Sequence, residues 1–197
     1  MLLFIGDRKE RGFTVVELLV VSTIIIVLGS LALAGHGRFS DGVVLSNLAH
    51  DVSLSIRQAQ SYGLNVQRDE AGASYDVSYG IRFDSATPQE YVLFIDRTRL
   101  GDGVDFDAVF ETFELAPGYR ILDVCATTNT AATRCFSSGG ASQIGRMDIV
   151  FDRPNPDANF STDLVADSYV NATITLSGPR GATRDIEVLP TGFINVQ

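Results

Sequence analysis

Glu17 is the residue whose chemistry is most conspicuous in this sequence, because it is the single charged group between Phe13 and Gly35. A charged group inside a bilayer costs roughly 3 kcal/mol on insertion scales and therefore points to a function. A cut after Gly12 would give Phe13 a free α-amine four residues before Glu17. Positions i and i+4 share one face of a helix, so the amine and the carboxylate could neutralise each other, within one subunit or between neighbours.

The apolar run that carries Glu17 is long enough to cross a membrane. The 23 residues from 13 to 35 would span about 34 Å as a helix, against a hydrocarbon core of about 30 Å. Arg8, Lys9 and Arg11 precede the run, so the positive-inside rule keeps this end in the cytoplasm and exports the rest. Two alternatives are a secretory signal peptide, cut after the small-x-small sequence Ala-Leu-Ala at 32–34, and a plain membrane anchor. Neither alternative explains the acid.

Residues 11–21 read Arg-Gly-Phe-Thr-Val-Val-Glu-Leu-Leu-Val-Val. This segment resembles the prepilin cleavage and methylation motif of type IV pilins and type II secretion pseudopilins. The resemblance implies that a membrane prepilin peptidase cuts after Gly12 and N-methylates Phe13. It also implies that Glu17, the fifth residue after the cut, registers the subunits during filament assembly.

A second apolar pattern follows the membrane run. Apolar or small residues recur at spacings of three and four, which predicts an amphipathic helix over about 45–66 that packs on a sheet. They are Leu45, Leu48, Ala49, Val52, Ile56, Ala59 and Gly63. Glycines between 35 and 42 are expected to weaken the helix locally. Residues 48–66 resemble the matching helix of the H-type pseudopilin and minor-pilin branch.

The remaining sequence has the patterns of β-strands. Alternating or continuous apolar residues between turn residues predict strands at 75–83, 90–95, 109–115, 119–125, 146–151, 170–176, 183–189 and 193–196. The closing segment 184–192 resembles the C-terminal pattern of the same branch. We therefore predict an α+β pilin fold, with a long N-terminal α-helix packed on an antiparallel β-sheet head. Its parts are a leader at 1–12, a transmembrane or filament-core helix at 13–35 and a soluble head at 36–197.

Cys125 and Cys135 are the two cysteines of the chain. No cluster of His or Cys lies near them in the sequence, so a zinc site is poorly supported. Two cysteines can stay free thiols in a cytosolic protein, whereas the export implied by the N-terminus makes a disulfide the expectation. A loop this short would stabilise the fold by roughly 2–3 kcal/mol.

The segment 96–107 contains several carboxylates close to glycines, among them Asp102, Asp105 and Asp107. Such oxygen ligands could bind Ca²⁺, and some pseudopilins do bind calcium. The spacing of an EF-hand is not met, because cations and a leucine occupy much of the frame. We therefore favour a solvated acidic loop and keep calcium as a candidate only.

The formal net charge of -9 argues against nucleic acid as a partner, because phosphate binding needs clustered cations. Some minor pilins of the resembled branch bind DNA through C-terminal cations, and Arg180 and Arg184 occupy that part of this chain. The neighbouring acids Asp185 and Glu187 oppose such a role.

The sequence shows no arrangement typical of an enzyme. His36 and His50 have no second ligand at metal-binding spacing, and no Ser–His–Asp set, P-loop or GxGxxG is evident. The loop 153–159, with two prolines, is interpreted as a rigid surface turn. The glycosylation tripeptides at Asn159 and Asn171 match a motif that arises by chance. We predict no catalytic residue and no cofactor.

The resemblance implies a non-enzymatic subunit of a type IV filament. Its partners would be prepilin peptidase, other pilins or pseudopilins, and an assembly platform in the bacterial inner membrane, with the head in the periplasm or outside the cell. Two systems fit: an H-type pseudopilin assisting protein secretion, and a minor or major type IV pilin in adhesion, motility or DNA uptake. A membrane-anchored periplasmic enzyme or binding module is the alternative of a different class.

Overall fold

A computed structural model describes residues 12–65, 77–97, 106–164 and 168–197 of the chain. The leader residues 1–11 and two of the calcium candidates, Asp102 and Asp105, lie outside the described residues, as do the ends of two predicted elements at 66 and 75. The chain divides into two compact units, Met1–Ser40 and Asp41–Gln197. Each unit is described by itself below.

Helix α1 spans Val15–Leu64 as one element that contributes to both units. The helix continues through the glycines between 35 and 42, where we expected local weakening. Each glycine costs about 1 kcal/mol relative to alanine, but extending an existing helix is far easier than starting a new one. In the first unit, the stretch Val15–Leu33 is long and apolar enough to cross a membrane by length and composition, and all its side chains are exposed.

In the second unit, α1 packs on the strands through the stripe predicted from the sequence. Five of its side chains are fully buried: Leu45, Ala49, Val52, Ile56 and Ala59. The stripe ends at Gly63, where the backbone of the helix approaches a strand very closely. A Cβ at this position would lie 2.3 Å from the main-chain oxygen of Phe151, so only glycine fits. The predicted packing of this helix is confirmed.

The head contains ten strands joined by turns. They are β1 Ser78–Asp84, β2 Glu90–Asp96, β3 Ala108–Glu114, β4 Arg120–Thr128, β5 Thr133–Cys135, β6 Arg146–Phe151, β7 Ala158–Thr162, β8 Tyr169–Ser177, β9 Thr183–Val188 and β10 Ile194–Val196. The first sheet has the order β3-β2-β1-β6-β7, and the second has the order β10-β9-β8-β4-β5. Every pairing within them is antiparallel.

The predicted α+β class is confirmed, and two features go beyond the sequence pattern. The strands form two sheets, whereas the pattern indicated only a β-sheet head. Strands β5 and β7 were not predicted, because the first has three residues and the second mixes polar and apolar types after a proline-rich loop. That loop lies between β6 and β7, and it has a cis peptide bond between Arg153 and Pro154.

Side chains of α1 also hold the loops at the edge of the head. The Nε2 of Gln60 donates to the main-chain oxygens of Pro156, at 2.9 Å, and Gly192, at 3.3 Å. Gly192 has φ of +74°, and a Cβ there would lie 2.1 Å from the oxygen of Pro156. This position therefore requires glycine both for its backbone conformation and for space.

A buried ion pair lies on the first sheet. Arg82 on β1 and Asp148 on β6 are cross-strand partners, and two parallel hydrogen bonds of 2.6 and 2.8 Å join them. The Asp148 side chain is 0% exposed, and the Arg82 guanidinium stacks over the ring of Phe106 at 4.2 Å. Burial raises the pKa of Asp148, and the hydrogen bonds from Arg82 oppose that rise. Arg82 thus makes a buried carboxylate tolerable.

We expect Arg82→Leu to lower the free energy of unfolding by about 3–5 kcal/mol, because it leaves Asp148 buried without its main counter-charge. Urea unfolding of the full-length protein in detergent, followed by circular dichroism, measures the loss. Arg120→Leu is the matched control, since Arg120 is exposed and surface substitutions usually change stability by about 0.5 kcal/mol or less. Equal losses in the two variants would contradict the role of the pair.

The loss of unfolding free energy in Arg82→Leu is also expected to depend on pH. The folded state holds the Asp148 proton more tightly than the unfolded chain does, because burial raises the pKa. The stability from this group is therefore fully present below about pH 4 and is lost as the pH rises through the folded pKa. Without Arg82 the folded-state pKa of Asp148 is expected to rise further. The stability that Arg82→Leu loses at neutral pH is therefore expected to be smaller at acid pH.

Candidate functional site

The start of α1 is organised by Thr14. Residues 12–14 are not helical, and α1 begins at Val15. The main-chain N–H of Glu17 donates to Thr14 Oγ1 at 3.2 Å, and the N–H of Leu18 donates to the main-chain oxygen of Thr14 at 3.1 Å. A threonine followed three residues later by glutamate has the spacing of a capping box. Thr14 therefore fixes where the helix begins.

The same geometry places Glu17 in the first turn of the helix. The N–H groups of the first turn give this end a partial positive charge, which stabilises a nearby carboxylate by roughly 0.3–1 kcal/mol at exposed sites. Phe13 precedes the cap, and its side chain is 78% exposed. An α-amine created at Phe13 would add a full positive charge at the end of the helix that carries Glu17.

The other polar side chains of the apolar stretch have partners on the helix itself. The hydroxyls of Ser22 and Thr23 donate to the main-chain oxygen of Leu19 at 2.9 and 2.8 Å, and Ser30 donates to that of Val27 at 2.8 Å. Such bonds satisfy hydroxyl groups in an environment without water. Glu17 is the only ionisable side chain in the stretch 12–33. The hydroxyl groups of this stretch bond to the helix backbone and do not compensate its charge.

The two cysteines face each other on neighbouring strands. Cys125 on β4 and Cys135 on β5 are cross-strand partners joined by a disulfide, with Cα atoms 4.0 Å apart. With Asp123 they are the only cluster of three metal-binding side-chain types in the described part of the chain. Both sulfurs are bonded to each other, so the cluster offers no thiolate ligand. The carboxylate of Asp123 accepts the main-chain N–H of Ser137 at 3.0 Å and holds the adjoining loop.

Of the remaining residues singled out from the sequence, those that the structure describes do not come together in one site. Asp107 accepts the main-chain N–H of Arg97 at 2.5 Å, and Arg180 forms an ion pair of 2.5 Å with Asp41 on α1. His50 is exposed on α1. An open depression of about 540 Å³ lies at the β1–β2 turn, and its described lining has no His or Cys. The lining includes Thr87, Pro88, Gln89, Glu90, Glu114 and Leu115.

Comparison with known families matches residues 7–33 to the prokaryotic N-terminal methylation motif. Neither the curated proteins nor the solved structures give a match to the chain. The motif supports a type IV pilin-like protein and indicates a filament subunit. It implies processing by prepilin peptidase and assembly with other pilins, and together with the apolar helix it is consistent with membrane anchoring.

The sequence predicted Gly12, Phe13 and Glu17 as the residues of this site, and the matched motif contains all three. It also contains Thr14, whose capping role was not predicted. The signal was present in the spacing of Thr14 and Glu17, which is that of a capping box.

Replacing both cysteines tests the disulfide. The double variant Cys125→Ser/Cys135→Ser is expected to lose about 2–3 kcal/mol of stability, because the unfolded chain is no longer cross-linked. Urea unfolding of the full-length protein measures the change, and the wild type with its disulfide reduced serves as the control that should match the variant. Thiol labelling of both cysteines in the native wild type would contradict the bond.

Proposed function

We propose that this protein is an H-type pseudopilin of a type II secretion system, a non-enzymatic subunit near the tip of a periplasmic filament. The observation that carries the proposal is the position of Glu17, in the first turn of a capped, exposed, apolar helix within a methylation motif. The resemblance of residues 48–66 and 184–192 to the H-type branch supports the finer assignment.

Processing supplies the charge that the acid needs. Prepilin peptidase cuts the peptide bond after Gly12, which frees the α-amine of Phe13, and then methylates that amine. The amine stays positively charged and lies at the helix end that carries Glu17. In a low dielectric this attraction is much stronger than in water, and an uncompensated carboxylate is correspondingly costly. The cut therefore makes Glu17 tolerable within the membrane.

Assembly uses the same pair between subunits. The exposed apolar stretch Val15–Leu33 anchors the subunit in the inner membrane before assembly. When subunits join, the same surface packs among the helices of neighbours, and Glu17 pairs with the Phe13 amine of another subunit. A helix shifted along its neighbour would leave both charges without a partner, so the pair sets the register.

A minor or major subunit of a type IV pilus is the second candidate, because the methylation motif is shared by both filament classes. The ion pair between Arg180 and Asp41, together with the net charge of -9, disfavours the DNA-uptake version of this role. Deletion of the gene separates the systems: loss of protein secretion with normal surface pili favours the pseudopilin, and the opposite result favours the pilin.

The mature protein is expected to begin at N-methylated Phe13. Mass spectrometry of the protein extracted from membranes measures the N-terminus directly. An intact Met1, or a start after Ala34, would contradict prepilin processing and favour a plain anchor or a signal peptide.

Glu17→Gln is expected to leave processing intact and to abolish incorporation into filaments, because glutamine keeps the size of the side chain and removes its charge. Sheared filament fractions, probed for this subunit, measure incorporation. Ser22→Ala is the matched control, since it removes a neutral polar group from the same stretch and is expected to assemble normally. Normal assembly of Glu17→Gln would remove the register role.

A further inference from the structure

Strand β3 lies at one edge of the first sheet, with β2 as its only neighbour among the described strands. It has seven residues, whereas the other three edge strands, β5, β7 and β10, have three, five and three. β7 also contacts β8 of the second sheet. The main-chain N–H and C=O groups of an edge strand can pair with another chain. β3 therefore offers the longest stretch of such groups in the described head.

The register between β3 and β2 shows which main-chain groups face the edge. The N–H of Leu115 donates to the main-chain oxygen of Gln89 at 2.8 Å, so these opposite residues form a hydrogen-bonded pair. Hydrogen-bonded and non-hydrogen-bonded pairs alternate along an antiparallel ladder. In this register Phe113 is bonded to β2, whereas Thr112 and Glu114 belong to non-hydrogen-bonded pairs. The N–H and C=O groups of these two residues therefore point away from β2, towards the edge.

The side chains along β3 are exposed as well. Val109 is 53% exposed and Phe110 is 43% exposed, and Glu111 and Thr112 are also exposed. The pairing with β2 skips Phe110, whereas residues 111–114 keep one regular register. A regular edge strand with exposed apolar residues beside it is a template for the addition of another strand.

Two carboxylates face each other at the end of this edge. Glu90 on β2 and Glu114 on β3 are opposite residues in a non-hydrogen-bonded pair, the kind of pair in which side chains lie closest together. Both line the open depression of about 540 Å³ at the β1–β2 turn. Like charges directly opposite each other destabilise a sheet. Within the described part of the chain, no ion pair compensates these two carboxylates.

We infer that an extended segment of a different subunit of the same filament adds to the edge of β3 as an antiparallel strand. The inference rests on the proposed function, which supplies neighbours for the head. The segment pairs with the main-chain groups of Thr112 and Glu114. A lysine or arginine opposite Glu114 enters the depression and compensates both Glu114 and Glu90. Main-chain bonds provide affinity, and the charge of the side chain selects the partner.

A second copy of this chain is a poor occupant of the edge. Pairing β3 with β3 of another copy would bring Glu111 and Glu114 of both strands into one short ladder, where like charges destabilise the pairing. Two chains that each have a net charge of -9 also repel each other. Charge complementarity therefore favours a cationic segment of another subunit.

The main-chain pairing is tested with the full-length processed protein in uncharged detergent and a labelled, end-blocked peptide that alternates valine and lysine. Thr112→Pro is expected to weaken binding about tenfold in fluorescence anisotropy, because it removes an N–H that faces the edge. The same N–H does not bond to β2, so the urea midpoint of unfolding is expected to stay close to that of the wild type. Thr112→Val keeps the N–H and is expected to bind like the wild type. Equal binding by the two variants would overturn the inference.

A pair of N-methylated peptides tests the same bonds without changing the protein. In an antiparallel addition, the lysine opposite Glu114 directs its own N–H to β3, whereas the N–H groups of the valines face away. Methylation of the lysine nitrogens is therefore expected to weaken binding about tenfold, and methylation of the valine nitrogens is expected to have little effect. The same loss with both peptides, or no loss with either, would contradict the proposed ladder.

The role of charge is tested with the same unmethylated peptide. Glu90→Gln/Glu114→Gln is expected to weaken binding about fivefold at low salt, because the cation loses both carboxylates. Asp51→Asn/Asp157→Asn removes the same net charge at two other exposed carboxylates, and it is expected to leave binding almost unchanged. Equal weakening in both variants would show non-specific attraction and overturn the selection by charge.

The occupant is identified in intact cell envelopes with a photo-cross-linking amino acid in place of the exposed Val109. Mass spectrometry of the adduct is expected to find another subunit with its own methylation motif, coupled through an extended segment that contains lysine or arginine. The adduct is expected to disappear when Thr112→Pro is added and to persist with Thr112→Val. An adduct with a second copy of this chain, or one that survives Thr112→Pro, would overturn the inference.

The N-terminal mass of the same sample separates this inference from the proposed function. A start at Phe13 with no adduct that depends on Thr112 overturns the strand addition and leaves the filament role standing. A start at Met1 contradicts the filament role itself, and with it the neighbours that the strand addition requires.

Discussion

A carboxylate that is removed from water needs a compensating positive charge close by, and this constraint governs the N-terminal part of the molecule. Glu17 enters an apolar helix that has no other ionisable group. Thr14 caps that helix and places Glu17 among the free N–H groups of its first turn. The helix end supplies a partial charge at most, so a full charge has to come from elsewhere. In the proposed function, cleavage at Phe13 supplies it.

In the head, the same constraint applies to a buried carboxylate and does not apply to exposed ones. Asp148 is fully buried, and it has a bidentate arginine on the neighbouring strand. Asp51 and Glu111 are exposed and have no cation in the described part of the chain. A buried pair is costly to break because the remaining charge cannot reach water. Exposed carboxylates tolerate solvent, so they are free to exchange water for a partner.

The elements that the sequence predicted are those that carry their own periodic signal. The apolar residues of α1 recur every three or four positions. In strands such as β1 and β8, apolar residues alternate with polar or small residues over most of the strand. β5 and β7 lack such a signal, although each pairs with the strand that precedes it in the chain. β5 has three residues and pairs with β4, where it is also held by the disulfide. Local sequence contains little information about such an edge.

Two contacts of the head could not be predicted from the sequence. The pairing of Arg82 with Asp148 requires β1 to lie beside β6, a connection across 66 positions of the chain. The hydrogen bond between Ser55 and Tyr91 requires α1 to pack on β2, which no local pattern indicates. Thr14 was different, because its capping role could be predicted from its spacing of three positions from Glu17. Contacts within one helical turn can be predicted from a sequence, whereas contacts between strands that are far apart in the chain cannot.

The matched motif and the head give different kinds of information about the protein. The motif covers residues 7–33 and indicates a filament subunit that is processed by prepilin peptidase. In the proposed function the same segment also anchors the subunit and sets its register. Fold and shared motif therefore define the class of assembly, whereas specificity depends on exposed groups.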